Sequence, residues 1–346
     1  MKLDFEILNL QTRHSFAIAR AASVPVRRPV WVRIADGEGQ VGWGEAAVTT
    51  PYYGETPETA VTVLPLLAEA LDEVAEGDPF ALERIESALE KRIGAHRAVK
   101  TAVSAALHDL VGKRLGIPVW RMWGLDPGCP VSSFTIAIDE TERMRERVRE
   151  AAGYPILKIK VGTPRDEEIL RMIRDEAPEK TIRVDANTAW TAREAIAAMP
   201  MLEEYGIELI EQPLPADDVE GLRAVTAASS IPVVADESCR TSADIPRLVG
   251  AVDVINIKLA KCGSLREALR MIHCGRANHM QIMLGCMVES TLGIAAAVQL
   301  APLADYVDLD GAALLAEDPF AGPGIEGDGS VRFNDAPGLG VTRISR

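Results

Sequence analysis

From residue 131 onward the chain repeats one unit, a short apolar run followed by a charged, amphipathic stretch of helical length. The runs fall at 131–138, 156–161, 181–185, 207–211, 231–236, 252–258, 281–284 and 306–310. Strand followed by helix at steps of about 25 residues is the pattern of a parallel sheet, and eight such units close into a barrel. No long linker or low-complexity segment interrupts the series.

The first hundred-odd residues have a different texture. Residues 1–7 alternate, with Leu3, Phe5 and Ile7 on one side and Lys2, Asp4 and Glu6 on the other, as in a half-buried strand. Runs 30–35 and 40–46 flank Asp36-Gly37-Glu38-Gly39, a hairpin whose glycines would supply positive φ. Thr56-Pro57-Glu58 opens the first of three helical stretches, and the last of them ends at Gly116. The expected organisation is an α+β domain over 1–120, the barrel over 121–312, and a turn-rich segment over 313–346 that folds back on the first domain.

Composition narrows the function. A net charge of −14 with no basic run argues against a nucleic-acid partner. The five cysteines form no C-x-x-C pair and have no histidine at zinc spacing, so a reducing cytoplasm is expected. The longest apolar stretch falls short of the ~18 residues that a membrane span needs, so no membrane partner is expected.

Within 157–162, Leu157, Ile159 and Val161 share one strand face, which puts Lys158 and Lys160 together on the other, about 7 Å apart. Two such ammonium groups either sit in water on an edge strand or face carboxylates or a metal. The downstream runs favour the second reading, since Lys160, Asp185, Glu211, Asp236 and Lys258 stand at or near the ends of consecutive barrel strands. In a barrel of this kind those ends form the active-site rim. Three carboxylates converging there repel one another unless a hard cation lies between them, which makes Asp185, Glu211 and Asp236 candidate ligands for Mg²⁺. Lys158 and Lys160 on one wall and Lys258 on the facing wall would flank whatever the metal holds. A lysine depressed by the cation and by a neighbouring ammonium can serve as a base near neutrality.

Lys158-Ile-Lys160, Asp185-Ala-Asn187, Glu211-Gln-Pro213, Asp236-Glu-Ser238 and Ile257-Lys258 together resemble the enolase superfamily, in its muconate-lactonising subgroup, over the whole chain. The resemblance implies a (β/α)₇β barrel under an α+β capping domain, one Mg²⁺ per subunit, and abstraction of a proton α to a carboxylate. It also implies that Lys160 and Lys258 are paired acid/base residues and that Lys158 steadies the enolate.

Asp308-Leu309-Asp310 narrows the choice further. Strand alternation would put both aspartates on one face, where they need either a cationic ligand or a buried bridge to Arg or Lys. The sequence is similar here to dipeptide epimerases, whose corresponding aspartates hold the ammonium of the substrate. Residues 283–287, with Cys286, strengthen that likeness, and Arg20 matches the position that meets a glutamate side chain in Ala-Glu epimerases. The expected substrate is therefore a dipeptide with an acidic second residue favoured, and the expected assembly is a homo-oligomer. The alternatives are a muconate cycloisomerase, an N-acylamino-acid racemase or an o-succinylbenzoate synthase, whose substrates offer no ammonium to the aspartate pair.

Overall fold

The computed structural model describes residues 1–22 and 24–344. Eight parallel strands, Phe134–Ile136, Ile156–Lys160, Thr181–Asp185, Ile207–Glu211, Val233–Ala235, Val254–Ile257, Gln281–Gly285 and Tyr306–Asp308, pair in chain order. The ring closes where Ser132 bridges Val307 in parallel and the Ser133 amide donates to the Val307 carbonyl at 3.1 Å. Closure removes the sheet edges, so the two lysines of the second strand lie inside the barrel and not on a solvated edge.

Strand alternation divides the core. Leu157, Ile159, Ile182 and Val184 point outward into the helical layer, while Leu209, Val234, Val254 and Met283 fill the interior below the rim. The surrounding helices are amphipathic. Asp166–Glu176, for example, buries Ile169, Leu170, Met172 and Ile173 and carries three acids in its first turn, where the helix dipole favours them. Between the fifth and sixth strands the covering helix shrinks to Ile245–Leu248.

The strands Lys2–Ile7, Val30–Ala35 and Val41–Ala46 form an antiparallel sheet, and the helices Pro57–Ala75, Leu82–Arg92 and Arg97–Leu115 follow. Thr56 caps the first of these in a reciprocal box with Thr59, and Gly116 ends the third at φ 71°. In the hairpin only Gly39 has positive φ (87°). Phe5 is exposed although Leu3 and Ile7 pack inward, because three strands against three helices leave one sheet edge thinly covered. A further short helix, Thr50–Tyr53, follows the last of these strands and has no clear periodic signal in its four residues. The chain then returns from the barrel to this layer: the amides of Trp43 and Leu339 both donate to the buried Asp109 carboxylate, at 2.9 and 2.8 Å. Among the described residues no helix is long and apolar enough to cross a membrane.

Candidate active site

The rim of the barrel follows from register. Lys160, Asp185 and Glu211 are the last residues of the second, third and fourth strands and lie side by side, Lys160 opposite Asp185 and Asp185 opposite Glu211. Asp236 and Lys258 come one residue after the fifth and sixth strands, and Asp308 ends the eighth. A parallel barrel sends every one of these ends to the same face. There a cavity of about 390 Å³ opens under the N-terminal layer, and Lys158, Lys160, Asp236, Lys258, Cys286, Asp308 and Asp310 are all on its wall.

The charged groups form one buried network. Lys158 Nζ lies 2.8 Å from Asp308, 2.6 Å from Glu211 and 3.2 Å from Asp185. Lys160 lies 2.6 Å from Asp185, and Lys258 lies 2.7 Å from Asp236. Burial works against the Lys158 and Lys258 ammonium groups, yet the carboxylates around them outweigh it and hold both well above the usual lysine range. Against the same burial, Lys160 and Lys158 hold Asp185 down at about 2, and Lys258 with Lys261 holds Asp236 well below the normal carboxylate range.

Carboxyl groups outnumber cations, and the surplus shows. Glu211 is pushed up to about 7 by burial and by Asp185, Glu237 to about 8 by burial and by Asp236, and Asp310 to about 7 by burial and by Asp308. Among the described residues no three acidic, histidine or cysteine side chains gather as around a metal, because lysine ammonium groups stand between them. The donor chemistry nonetheless fits a hard divalent cation. Asp185, Glu211 and Asp236 are buried oxygen donors, Glu211 among them short of positive charge, and Asn187 Oδ1 and Glu237 Oε2 beside them are buried without a hydrogen-bond partner.

Asp308 and Asp310 do not share strand alternation. The strand stops at Asp308, and Asp310 opens a turn of 3₁₀ helix. Both carboxylates still reach the cavity wall, Asp308 accepting from Ser133 Oγ at 2.6 Å and Asp310 from the Thr135 amide at 2.6 Å. Asp308 also makes the bridge to Lys158, so the alternative of a buried ion pair holds for that member. Arg20 stands at the edge of the cavity with its charge already engaged: Nη2 lies 3.2 Å from Glu237 Oε1 and the guanidinium lies 4.3 Å from the centre of the Tyr52 ring, both residues of the cavity wall. A loop arginine takes the nearest buried acid, and that acid comes from a distant strand. The Cys286 thiol is raised well above its usual range, chiefly by burial and then by Asp310.

Several neighbours escaped sequence reasoning. Lys261, fully buried, donates to the Asp236 side chain, the Asp236 carbonyl and the Asn256 carbonyl. Asn256 donates to Glu211 at 2.9 Å, and its spacing of two from Lys258 was the available signal. Gln212, at φ 36°, accepts from the amides of Asp236 and Ser238 and so ties the fourth strand end to the fifth. Gly285 leaves the room these side chains use, since a Cβ there would fall 2.6 Å from Asn256 Oδ1 and 3.0 Å from Lys258 Cε.

Known proteins share this fold. The family described as mandelate racemase / muconate lactonizing enzyme, N-terminal domain, matches residues 5–124, and the enolase C-terminal domain-like family matches residues 140–343. An L-Ala-D/L-Glu epimerase of Bacteroides thetaiotaomicron is 40% identical over 99% of this chain and 88% of its own. The dipeptide epimerase of Enterococcus faecalis, solved with Mg and L-Leu-L-Tyr, superposes with a TM-score of 0.91 at 33% identity over 98% of both chains. That of Methylococcus capsulatus, solved with Mg and L-Arg-D-Lys, gives 0.90 at 32% identity, again over 98% of both.

Proposed function

The chain belongs to the mandelate racemase and muconate lactonizing enzyme family, and from that premise we propose that it is a Mg²⁺-dependent dipeptide epimerase. The reaction is inversion of the α-carbon of the second residue of an L,L-dipeptide by proton transfer between two lysines. One observation carries this reading. Lys160 ends the second strand and Lys258 directly follows the sixth, four apart in a ring of eight, and so they face one another across a single cavity.

Inversion needs a base on one side of the carbon and an acid on the other. With Asp236 and Glu211 engaged by Mg²⁺, those carboxylates would no longer hold Lys258 as an ammonium, so that in the neutral form one lysine takes the α-proton and the other, as an ammonium, returns a proton to the opposite face. The reverse reaction exchanges their roles. Asp185, Glu211 and Asp236 would hold Mg²⁺, which supplies counter-charge to the substrate α-carboxylate and to the negative charge that builds on it once the proton leaves. Lys158, between Asp308 and Glu211, adds a fixed positive charge on the same side. Asp308 and Asp310 take the substrate ammonium, and Cys286 packs beside them. The Mg and dipeptides bound in relatives of this length and similarity support both halves of the reading.

The test is exchange in D₂O. A library of L,L-dipeptides incubated with the Mg²⁺-loaded enzyme should gain one mass unit at the second α-carbon, with loss of optical purity there. Lys160→Ala and Lys258→Ala should each stop epimerisation while keeping exchange of one configuration. Exchange confined to N-acylamino acids would refute the dipeptide assignment, and exchange of both configurations by both variants would refute the two-lysine mechanism.

A further inference from the structure

Three arginines lie close together in sequence on the N-terminal side of the cavity, and two of them are committed. Arg20 is paired with Glu237 and stacked on Tyr52, while Arg28 is exposed and lies 2.7 Å from Glu58. Arg27 differs from both. Arg27 and Arg28 both lie on the wall of the cavity that holds Lys158, Lys160 and Lys258, but among the described residues Arg27 makes no ion pair. Its Nε is buried without a hydrogen-bond partner, and its nearest aromatic contact is the Phe16 ring, 5.8 Å away.

A half-buried guanidinium without a counter-ion is costly, and burial alone pulls its pKa down. Of the acids on the same wall, Asp236, Glu237 and Asp308 are held by Lys258, Arg20 and Lys158, Asp310 accepts from the Thr135 amide, and none of the four pairs with Arg27. The backbone at Arg27 is fixed, because Val26–Arg27 pairs with Leu10–Gln11, Leu10 standing opposite Arg27. Phe16, Ile18, Val24 and Val26 line the cavity beside it, and in so apolar a setting a carboxylate meeting the fork would be strongly held.

We propose that Arg27 is the specificity-determining residue for the second side chain of the substrate, and that this side chain carries a carboxylate. The inference rests on the dipeptide reading above and moves the anion-reading role from Arg20 to Arg27. The overall charge of −14 would draw cationic dipeptides toward the protein, but the contact that selects among bound ones is local.

The experiment measures kcat/KM of the Mg²⁺-loaded enzyme for L-Ala-L-Glu, L-Ala-L-Ala and L-Ala-L-Lys. Wild type should prefer Ala-Glu to Ala-Ala, and in Arg27→Met that ratio should fall about 10- to 100-fold, the worth of one charge-assisted contact. Arg27→Glu should move the preference toward Ala-Lys, whereas Arg20→Ala should leave the Glu-to-Ala ratio in place. An unchanged ratio in Arg27→Met, an equal fall for all three dipeptides, or a ratio that collapses in Arg20→Ala instead would each overturn the assignment. A wild type that exchanges none of the three would overturn this inference, and one that exchanges no member of the L,L-dipeptide library would overturn the dipeptide reading together with it. A wild type that exchanges all three with no sensitivity to Arg27 would overturn this inference alone.

Discussion

The contact between the N-terminal sheet and the barrel contains an acid pair that should make stability fall as pH rises. Glu45, in the strand Val41–Ala46, is 3% exposed and accepts from the Ser290 amide at 3.0 Å and from the Ser290 hydroxyl, at the start of the helix Thr291–Val298. Burial and the neighbouring Glu289 push the Glu45 carboxyl up to about 8, against the Ser290 bonds, and burial pushes Glu289 up to about 7. The native state therefore keeps protons that the unfolded chain releases near pH 4.5, so the stability is fully present below that pH and is lost as pH rises toward 8. For Glu45 alone the gap from 4.5 to about 8 corresponds to roughly 5 kcal/mol. Glu45→Gln copies the protonated form and does not titrate. Urea unfolding at pH 5 and pH 8 should thus show the wild type losing several kcal/mol more than the variant across that interval. Equal losses in the two proteins would refute the buried acid pair.

Removing the divalent cation should abolish epimerisation and lower Tm, and Mg²⁺ should restore both, because three buried carboxylates lose their shared counter-charge. Full activity in excess chelator would refute the ligand assignment. Gly285→Ala should lower kcat about 100-fold with an unchanged circular dichroism spectrum, since its Cβ displaces Asn256 and Lys258 by a substantial part of an ångström. Near-normal turnover would show that the close approach at Gly285 is not what positions Lys258.

The phase of the rim residues was legible in the sequence because it depends on local geometry. Side chains alternate along a strand, and equal strand–helix steps bring every strand end to one face, so the positions of Lys160, Asp185, Glu211 and Asp236 followed from counting. The same counting failed at Asp310, where the chain leaves the strand after Asp308 and turns into a 3₁₀ helix. Periodicity carries no information beyond the last ladder bond. It was also silent on Lys261, whose three acceptors are gathered by a turn after the sixth strand and by the neighbouring strand end.

Partnership was decided by the tertiary structure alone. Arg20, Arg27 and Arg28 look alike in the sequence, but Glu237, 217 residues from Arg20, neutralises one of them, and Glu58 pairs with another. Glu45 and Glu289 are unremarkable acids until the N-terminal sheet is laid on the barrel and shuts water out between them. Side-chain direction within a strand is set by the nearest few residues, so the chain itself encodes it. The charge state of a buried group is set by whatever the fold brings within a few ångströms, and that is known only once the barrel has closed.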